Sequence, residues 1–221
     1  MSNEQTELTP AQPKAEISQA ARPTTLKGWL QSDSFKSEIA AALPAVCTPE
    51  RFMRVALTTL MRVPKLADCS QNSVLKCFLD CASIGIEPDG RRAHLIPYGK
   101  DCTLIIDYKG LVELVRRSGD VLKIHASAVC ENDVFEHDLG VVTKHVIDWR
   151  KPRGKAYAYY ATAEMKGGVH QCEVMTREEV DAIRARSKAG RSGPWVSDYD
   201  EMAKKTVFRR LAKWLPFSAE L

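Results

Sequence analysis

The chain lacks the features that would place it in a membrane, on a secretory route or among nucleotide-hydrolysing enzymes. No apolar run approaches the roughly 18 residues needed to span a bilayer, which excludes a membrane-spanning helix. The N-terminal Met1-Ser-Asn-Glu-Gln-Thr-Glu7 carries neither a basic stretch nor an apolar one, so no secretory signal is visible. There is no Gly-x-Gly-x-x-Gly or Gly-Lys-Thr phosphate loop for nucleotide hydrolysis, and no nucleophile elbow for serine–histidine catalysis. No Cys-x-x-Cys or His-x-His pair supplies a tetrahedral metal site. The seven cysteines are odd in number, widely spaced and set mostly in apolar runs. That pattern argues against a disulfide scaffold and suits a reducing cytosol. Charge of one sign is also scarce. The 32 Lys and Arg against 28 Asp and Glu leave a formal +4, too mild to name a partner without asking where the cations sit.

What is present is an ordinary globular balance, 44% hydrophobic and 27% charged over 221 residues, enough for one domain with a full core. Residues 1–24 read as a disordered arm, because Leu8 and Ile17 are the only large aliphatics between Ser2 and Pro23. From Leu26 to Ile84 the pattern is helical, in three pieces punctuated by proline. The first carries Trp29, Leu30, Phe35, Ile39 and Leu43 and stops before Pro44. The second starts at Thr48-Pro49-Glu50 and ends before Pro64. The third begins near Ser70, with Val74, Phe78 and Cys81 on one face, and ends at Gly85.

The period then changes. Ala93 to Tyr98, a Gly99-Lys100-Asp101 turn and Cys102 to Ile106 predict a β-hairpin, with Pro97 on an exposed edge. A short helix around Leu111, Leu114 and Val115 follows, closed by Gly119. Strands are expected at Val121–Cys130, Val141–Ile147, Ala156–Met165 and Val169–Met175. Thr176-Arg-Glu-Glu179 is a capping box that opens a helix to about Arg186. After a Gly/Ser-rich loop, a last amphipathic helix runs from about Tyr199 to Leu215. Helices first, strands in the middle and helices last predict an α+β fold with an antiparallel sheet and packed helices.

Two constellations could carry chemistry. Pro88-Asp89, a hairpin and then Asp107-Tyr108-Lys109 follow the layout of metal-dependent nucleases, in which two carboxylates hold Mg²⁺ and a lysine orients water. That chemistry needs Asp107 and Lys109 on one strand face, but Gly110 and a helix follow at once. The plainer reading is favoured: Asp89-Gly90 is a turn and Asp107 caps the next helix. Cys77 and Cys81 share a helix face with Val74 and Phe78, as small buried thiols do. The histidines at 94, 125, 137, 145 and 170 are scattered.

The basic clusters are better evidence. Arg184, Arg186, Lys188 and Arg191 fall in one eight-residue stretch with no acid, and nearby glycines let the chain follow an irregular polyanion. Trp195 follows Pro194 in an expected loop, where it has no obvious core to enter. In the last helix Lys205, Arg209 and Lys213 recur every four residues. Ala203, Val207, Leu211 and Leu215 form a second stripe about 200° around. One side therefore packs and the other presents cations, with Lys204 and Arg210 at its flanks. Arg91-Arg92 and Arg116-Arg117 could add to the field, although Arg117 could equally pair with Glu113 one turn back. A row of cations beside loop arginines and an aromatic is what a nucleic-acid backbone requires. A merely solvated helix face is the alternative.

Several long strings are familiar. Gly85-Ile-Glu-Pro-Asp-Gly-Arg-Arg-Ala-His-Leu-Ile-Pro-Tyr-Gly99 and Leu104-Ile-Ile-Asp-Tyr-Lys-Gly-Leu-Val-Glu-Leu-Val-Arg-Arg-Ser-Gly119 resemble the RecT family of phage-type single-strand annealing proteins. So do Gly193-Pro-Trp-Val-Ser-Asp-Tyr199 and Glu201-Met-Ala-Lys-Lys-Thr-Val-Phe-Arg-Arg-Leu-Ala-Lys-Trp-Leu-Pro216. The likeness runs from about Pro23 to the last residue. It implies an ATP-independent recombinase that coats single-stranded DNA and anneals it to a complementary strand, acting as a homo-oligomeric ring or helical filament in the bacterial cytoplasm. It implies no catalytic residue, no metal and no cofactor, and a partner exonuclease and host single-strand-binding protein. Under the resemblance, residues 25–221 form one DNA-binding and annealing domain. Residues 25–85 would be its helical oligomerisation part, and residues 86–221 its sheet-plus-helix DNA-binding core. Lys109, Arg116, Arg184, Arg186, Lys188, Arg191, Trp195, Lys204, Lys205, Arg209, Arg210 and Lys213 become the expected DNA contacts. Trp195 would either stack on bases or pack between subunits. Members of the family usually continue past the Leu-Pro-x-Ser segment into an acidic tail, which this sequence does not include.

Overall fold

A computed structural model describes residues 24–138 and 140–217; residues 1–23, read above as an arm, lie outside the described residues. The first part of the chain is four helices, and each begins where the sequence supplies a start signal. Helix α1 (Leu26–Gln31) opens at Thr25, whose hydroxyl accepts from the Gly28 N–H. Helix α2 (Asp33–Ala42) opens at Ser32, which accepts from the Phe35 N–H in the same way. Helix α3 (Pro49–Arg62) has proline at its first position, where no N–H is needed, and α4 covers Gln71–Ser83. Their apolar faces meet in one core built on Leu30, Phe35, Ile39, Phe52, Ala56, Leu66, Val74 and Phe78. Phe35 and Ile39 are 2% and 0% exposed. They belong to the monomer's own core.

Strands β1 (Ala93–Tyr98) and β2 (Asp101–Ile106) form the expected antiparallel hairpin, with Pro97 opposite Cys102. The hairpin lies against α4, where the Cys77 thiol donates to the Cys102 carbonyl at 3.5 Å. Helix α5 (Tyr108–Arg117) starts at Asp107, whose side chain accepts from the Lys109 N–H. Gly110 sits so close to the hairpin that a Cβ there would lie 2.4 Å from the Arg92 carbonyl oxygen. Any larger residue would push α5 off the hairpin base.

A charged seam holds α5 to the helical cluster. Arg117 donates to the Ile84 and Gly85 carbonyls at 3.2 and 3.0 Å and pairs with Glu113 at 2.9 Å. Arg92 bridges Glu87, Asp89 and Glu113, and Glu87, only 6% exposed, also pairs with Arg51. Buried charge survives here because each carboxylate meets a guanidinium.

The second part is built on an antiparallel sheet of order β3-β6-β7: Val121–Cys130, Ala156–Met165 and His170–Thr176. A separate hairpin, β4 (Val134–Asp138) with β5 (Val141–Val146), falls between β3 and β6 in chain order. The sequence signalled β5 but not β4. Helix α6 (Arg177–Arg186) opens with the anticipated Thr176–Glu179 capping box. Pro194–Ser197 makes the short α7, and α8 runs Tyr199–Leu211 before a 3₁₀ turn at Ala212–Trp214. Ala203, Val207, Phe208 and Leu211 of α8 pack on the sheet with Tyr159, Ala161 and Met175. The class is α+β, as the order of elements predicted, with the strands in three antiparallel groups rather than one sheet.

Candidate nucleic-acid interface

The side of α8 away from its apolar stripe carries Lys205 and Arg209, and both reach across to the junction of β2 and α5. The Lys205 ammonium pairs with Asp107 Oδ2 at 2.7 Å, and Arg209 Nη1 donates to the Ile106 carbonyl at 3.2 Å. Next to them the phenol of Tyr108 projects from the first turn of α5, 36% exposed. The Lys109 and Lys205 ammonium groups stand 6.0 and 5.6 Å from its ring centroid. Behind the ring, Val112, Ile124, Met202 and Phe208 form the apolar wall of a groove of about 340 Å³ that Lys204 and Lys205 also line. The site thus combines an exposed ring, an apolar wall and ammonium groups on its rim. Such a surface can hold a phosphate by charge and a base by contact with its face.

Asp107 organises this corner. Its carboxylate is partly buried, which works against ionisation, but the bonds from Lys205 and from the Lys109 N–H prevail and hold its pKa below the usual carboxylate value. Asp107 is therefore a helix cap and an anchor for Lys205. Asp89 is a turn residue. Its Oδ1 accepts from the Arg91 and Arg92 N–H groups, both at 2.8 Å, and its Oδ2 pairs with Arg92 at 2.9 Å. Lys109 sits on the first turn of α5, so it shares no strand face with Asp107. The structure follows the plainer reading of this pair. Among the described residues, no group of three or more His, Cys, Asp or Glu side chains is placed to hold a metal ion.

The second basic cluster lies at the other end of the β1–β2 hairpin. Arg184 Nε donates to the Gly190 carbonyl at 2.7 Å, and its guanidinium stands 5.5 Å from the Tyr199 ring centroid. Gly190 is buried so tightly that a Cβ would lie 2.1 Å from the Arg184 carbonyl oxygen, which fixes the loop's path. Lys188 extends from that loop to the hairpin tip, its ammonium 4.0 Å from the Tyr98 centroid. The hairpin therefore joins the two clusters, Lys205 and Arg209 at its base and Lys188 at its tip. Six residues of strand separate them by roughly 17–20 Å.

The remaining expected contacts are dispersed. Arg186 is exposed and donates to the Ala182 carbonyl at 3.3 Å; Arg191 and Arg116 are exposed. Lys204 pairs with Glu201, while Arg210 turns the other way to Glu173 and Glu179 at 3.0 and 3.6 Å. Lys213 falls on the 3₁₀ turn after α8 and lines a different groove with Arg209, Arg210 and Phe217. Arg92 is tied up in the seam, and Arg117 takes the Glu113 pair that its spacing allowed. Trp195 requires a correction. It is 5% exposed, carried inward by α7 and packed edge-on against Tyr199, so its ring is part of the core and is closed to a base.

Sequence reasoning passed over Tyr108. Its signal was local: an aromatic between a helix cap and a lysine, in a turn that must stay at the surface. Its partnership with Lys205, which comes from far along the chain, had no such signal.

A profile of the RecT family matches residues 50–220. The chain is 38% identical over 216 residues to Protein RecT of Escherichia coli (strain K12), an alignment covering 91% of this chain and 79% of that protein. It is 25% identical over 202 residues to the uncharacterized protein YqaK of Bacillus subtilis (strain 168), covering 89% of this chain and 69% of that one. With a profile match over most of its length and a relative this similar across most of both chains, the protein belongs to the RecT family, DNA-binding proteins of recombination that anneal single strands.

Proposed function

We propose that the protein binds single-stranded DNA without sequence preference, using the Tyr108 groove and the two cation clusters that the β1–β2 hairpin joins. The observation that carries this reading is an exposed ring flanked by two ammonium groups, with Arg209 one helical turn from Lys205. Lys109, Lys204, Lys205 and Arg209 meet phosphates at one end. Arg184, Arg186, Lys188 and Arg191 meet them at the other, and Arg116, Arg210 and Lys213 add to the positive field. Contacts to phosphate and to ring faces leave the pairing edges of the bases free, which annealing requires. No covalent bond changes, so neither ATP nor a metal-bound nucleophile has a step to drive.

Assembly follows from the energetics. A subunit of this size tracks only a few nucleotides, and stacking supplies about 1.4 kcal/mol per base-pair step. Copies side by side on one strand sum these small terms into one long contact. In this reading the protein acts as a ring or helical filament in the bacterial cytoplasm, alongside an exonuclease and a host single-strand-binding protein. The N-terminal helical part supplies subunit contacts through exposed residues such as Val46, in the turn before α3, and Met61 of α3, 66% and 74% exposed. The test is binding of a labelled oligo(dT) as a function of salt. Each phosphate neutralised adds about −0.7 to the slope of log affinity against log salt, so Arg209→Ala lowers both slope and affinity. An unchanged slope in that variant would place the DNA elsewhere.

A further inference from the structure

We propose that the loop between β5 and β6, residues 147–155, is a second contact for single-stranded nucleic acid, in which an unpaired base stacks on Trp149 and adjoining phosphates meet Arg150 and Lys151. This inference rests on the reading that the protein binds single strands, and it assigns that role to a surface away from the Tyr108 groove. Trp149 is 80% exposed, the highest value among the large apolar side chains of the described residues. Folding gives no reason for a bare indole there. Trp195, in a comparable stretch after proline and glycine, is drawn into the core.

The loop beneath Trp149 is firmly built. The Asn132 side chain donates to the Pro152 carbonyl at 2.9 Å, and its N–H donates to the Arg153 carbonyl at 3.0 Å. Glu131 and Lys155 exchange bonds at 3.1 Å in both directions, from the Glu131 N–H to the Lys155 carbonyl and from the Lys155 N–H to the Glu131 carboxylate. Arg153 grips Asp133 through two donors at 3.0 and 2.6 Å and also donates to the Ala128 carbonyl at 2.9 Å. With its head fixed in this way, the Arg153 guanidinium lies 5.9 Å from the Trp149 ring centroid and supports the indole. The indole thus has one fixed neighbour before any ligand arrives, which lowers the entropic cost of binding.

The flanking charges fit a phosphate backbone. The Arg150 and Lys151 side chains are 91% and 76% exposed and share Asp148 at 3.2 and 3.6 Å. Surface pairs of this kind are weak, so a phosphate can take over either cation. A ring with adjacent cations makes a stacking platform, and a stacking platform needs an unpaired base, which an intact duplex does not offer. None of the loop's residues lines the Tyr108 groove. Where it adjoins α7 and α8, at Gly154 and Lys155, the surface is lined by Glu131, Glu178, Asp198, Asp200 and Glu201. With only Arg177 and Lys155 as cations among these five acids, this surface disfavours a backbone running across it from Tyr108. The loop holds a different stretch of strand.

The test titrates the full-length protein with oligo(dT), following tryptophan emission and affinity. Quenching on binding should shrink in Trp149→Phe by the share that this one of the four tryptophans contributes, while affinity is mostly kept. Trp149→Ala should weaken binding at least about fivefold, the low end for one stacked base. Replacing both Arg150 and Lys151 with Ala should lower the salt slope by about 1.4. Thermal unfolding of each variant should match the parent, because these side chains are exposed. If Trp149→Ala binds within twofold of the parent while Lys205→Ala binds more weakly, the loop assignment is wrong and the DNA reading stands. If the parent protein binds no oligo(dT), both fall. A shift in Trp149 emission with anionic vesicles but none with oligo(dT) would overturn the assignment in favour of a lipid surface.

Discussion

Asp107→Asn separates the two tasks of one side chain. Asparagine caps a helix as well as aspartate does, so α5 keeps its start and the Lys109 N–H keeps an acceptor. The charge that holds Lys205 is removed. The pair is partly buried, with side-chain exposures of 26% for Lys205 and 15% for Asp107. A charge-assisted bond contributes about 1.5–3 kcal/mol and a neutral one about 0.5–1.5, so the substitution costs about 1 kcal/mol of stability. DNA binding should move the other way. In the parent Lys205 divides its charge between Asp107 and a phosphate; released, it serves the phosphate alone, steepening the salt slope by up to about 0.7, so that a fourfold drop in salt gives the variant up to about 2.6-fold more affinity gain than the parent. The pH dependence has a definite sign. Asp107 has a depressed pKa in the folded protein. Its stabilisation is therefore complete above the unfolded value of about 3.9 and is lost as pH falls through the folded one. The stability gap between parent and variant should close below about pH 4. Urea denaturation at pH 7 and pH 3, together with salt titrations of labelled oligo(dT), measures both quantities. An Asn variant with an unchanged or shallower salt slope would refute the idea that Lys205 faces phosphate.

Tyr108→Ala should weaken oligo(dT) binding by about 1–3 kcal/mol with no change in salt slope, because a stacked ring releases no counterion. Lys109→Ala, one residue on, should do the reverse, lowering the slope by about 0.7. Asp133→Ala should cost about 3–5 kcal/mol in denaturant unfolding, because it leaves the Arg153 guanidinium without its partner in a largely buried site. Hydrogen bonds from Arg153, outweighing burial, hold Asp133 well below the carboxylate range. The parent's advantage over Asp133→Ala is therefore full above about pH 4 and shrinks as pH falls further, which unfolding at pH 7 and pH 3 would check.

The parts of the fold that were legible in the sequence are those whose cause is local. The Thr176–Glu179 box, the prolines bounding α3, and the stripe of Ala203, Val207 and Leu211 act within a few residues of themselves, and the structure keeps each. Strand β4 was not legible. Val134-Phe-Glu-His-Asp138 pairs only with β5 and buries one ring, Phe135, against Tyr160, so it carries no run of apolar alternation. Trp195 was misread because proline and glycine around it describe a turn, whereas its burial is decided by Tyr199 and the sheet behind. The candidate site divides in the same way. The cations of α8 are visible as a period of four, but their engagement with Asp107 and Ile106 depends on how a hairpin and a helix meet across the chain. Trp149 stood in the sequence beside Arg150 and Lys151, but only the exposure of its ring in the fold separates it from a core residue.

The central claim is tested most directly by the rate at which two complementary oligonucleotides pair, followed by fluorescence in the absence of any nucleotide and with divalent metal chelated. The account predicts that the protein accelerates pairing well above the spontaneous rate and leaves the strands intact, and that replacing Lys205 and Arg209 together with Ala removes most of that acceleration. Pairing no faster than in buffer, or strands that are cut once Mg²⁺ is restored and spared in Asp107→Ala, would contradict it.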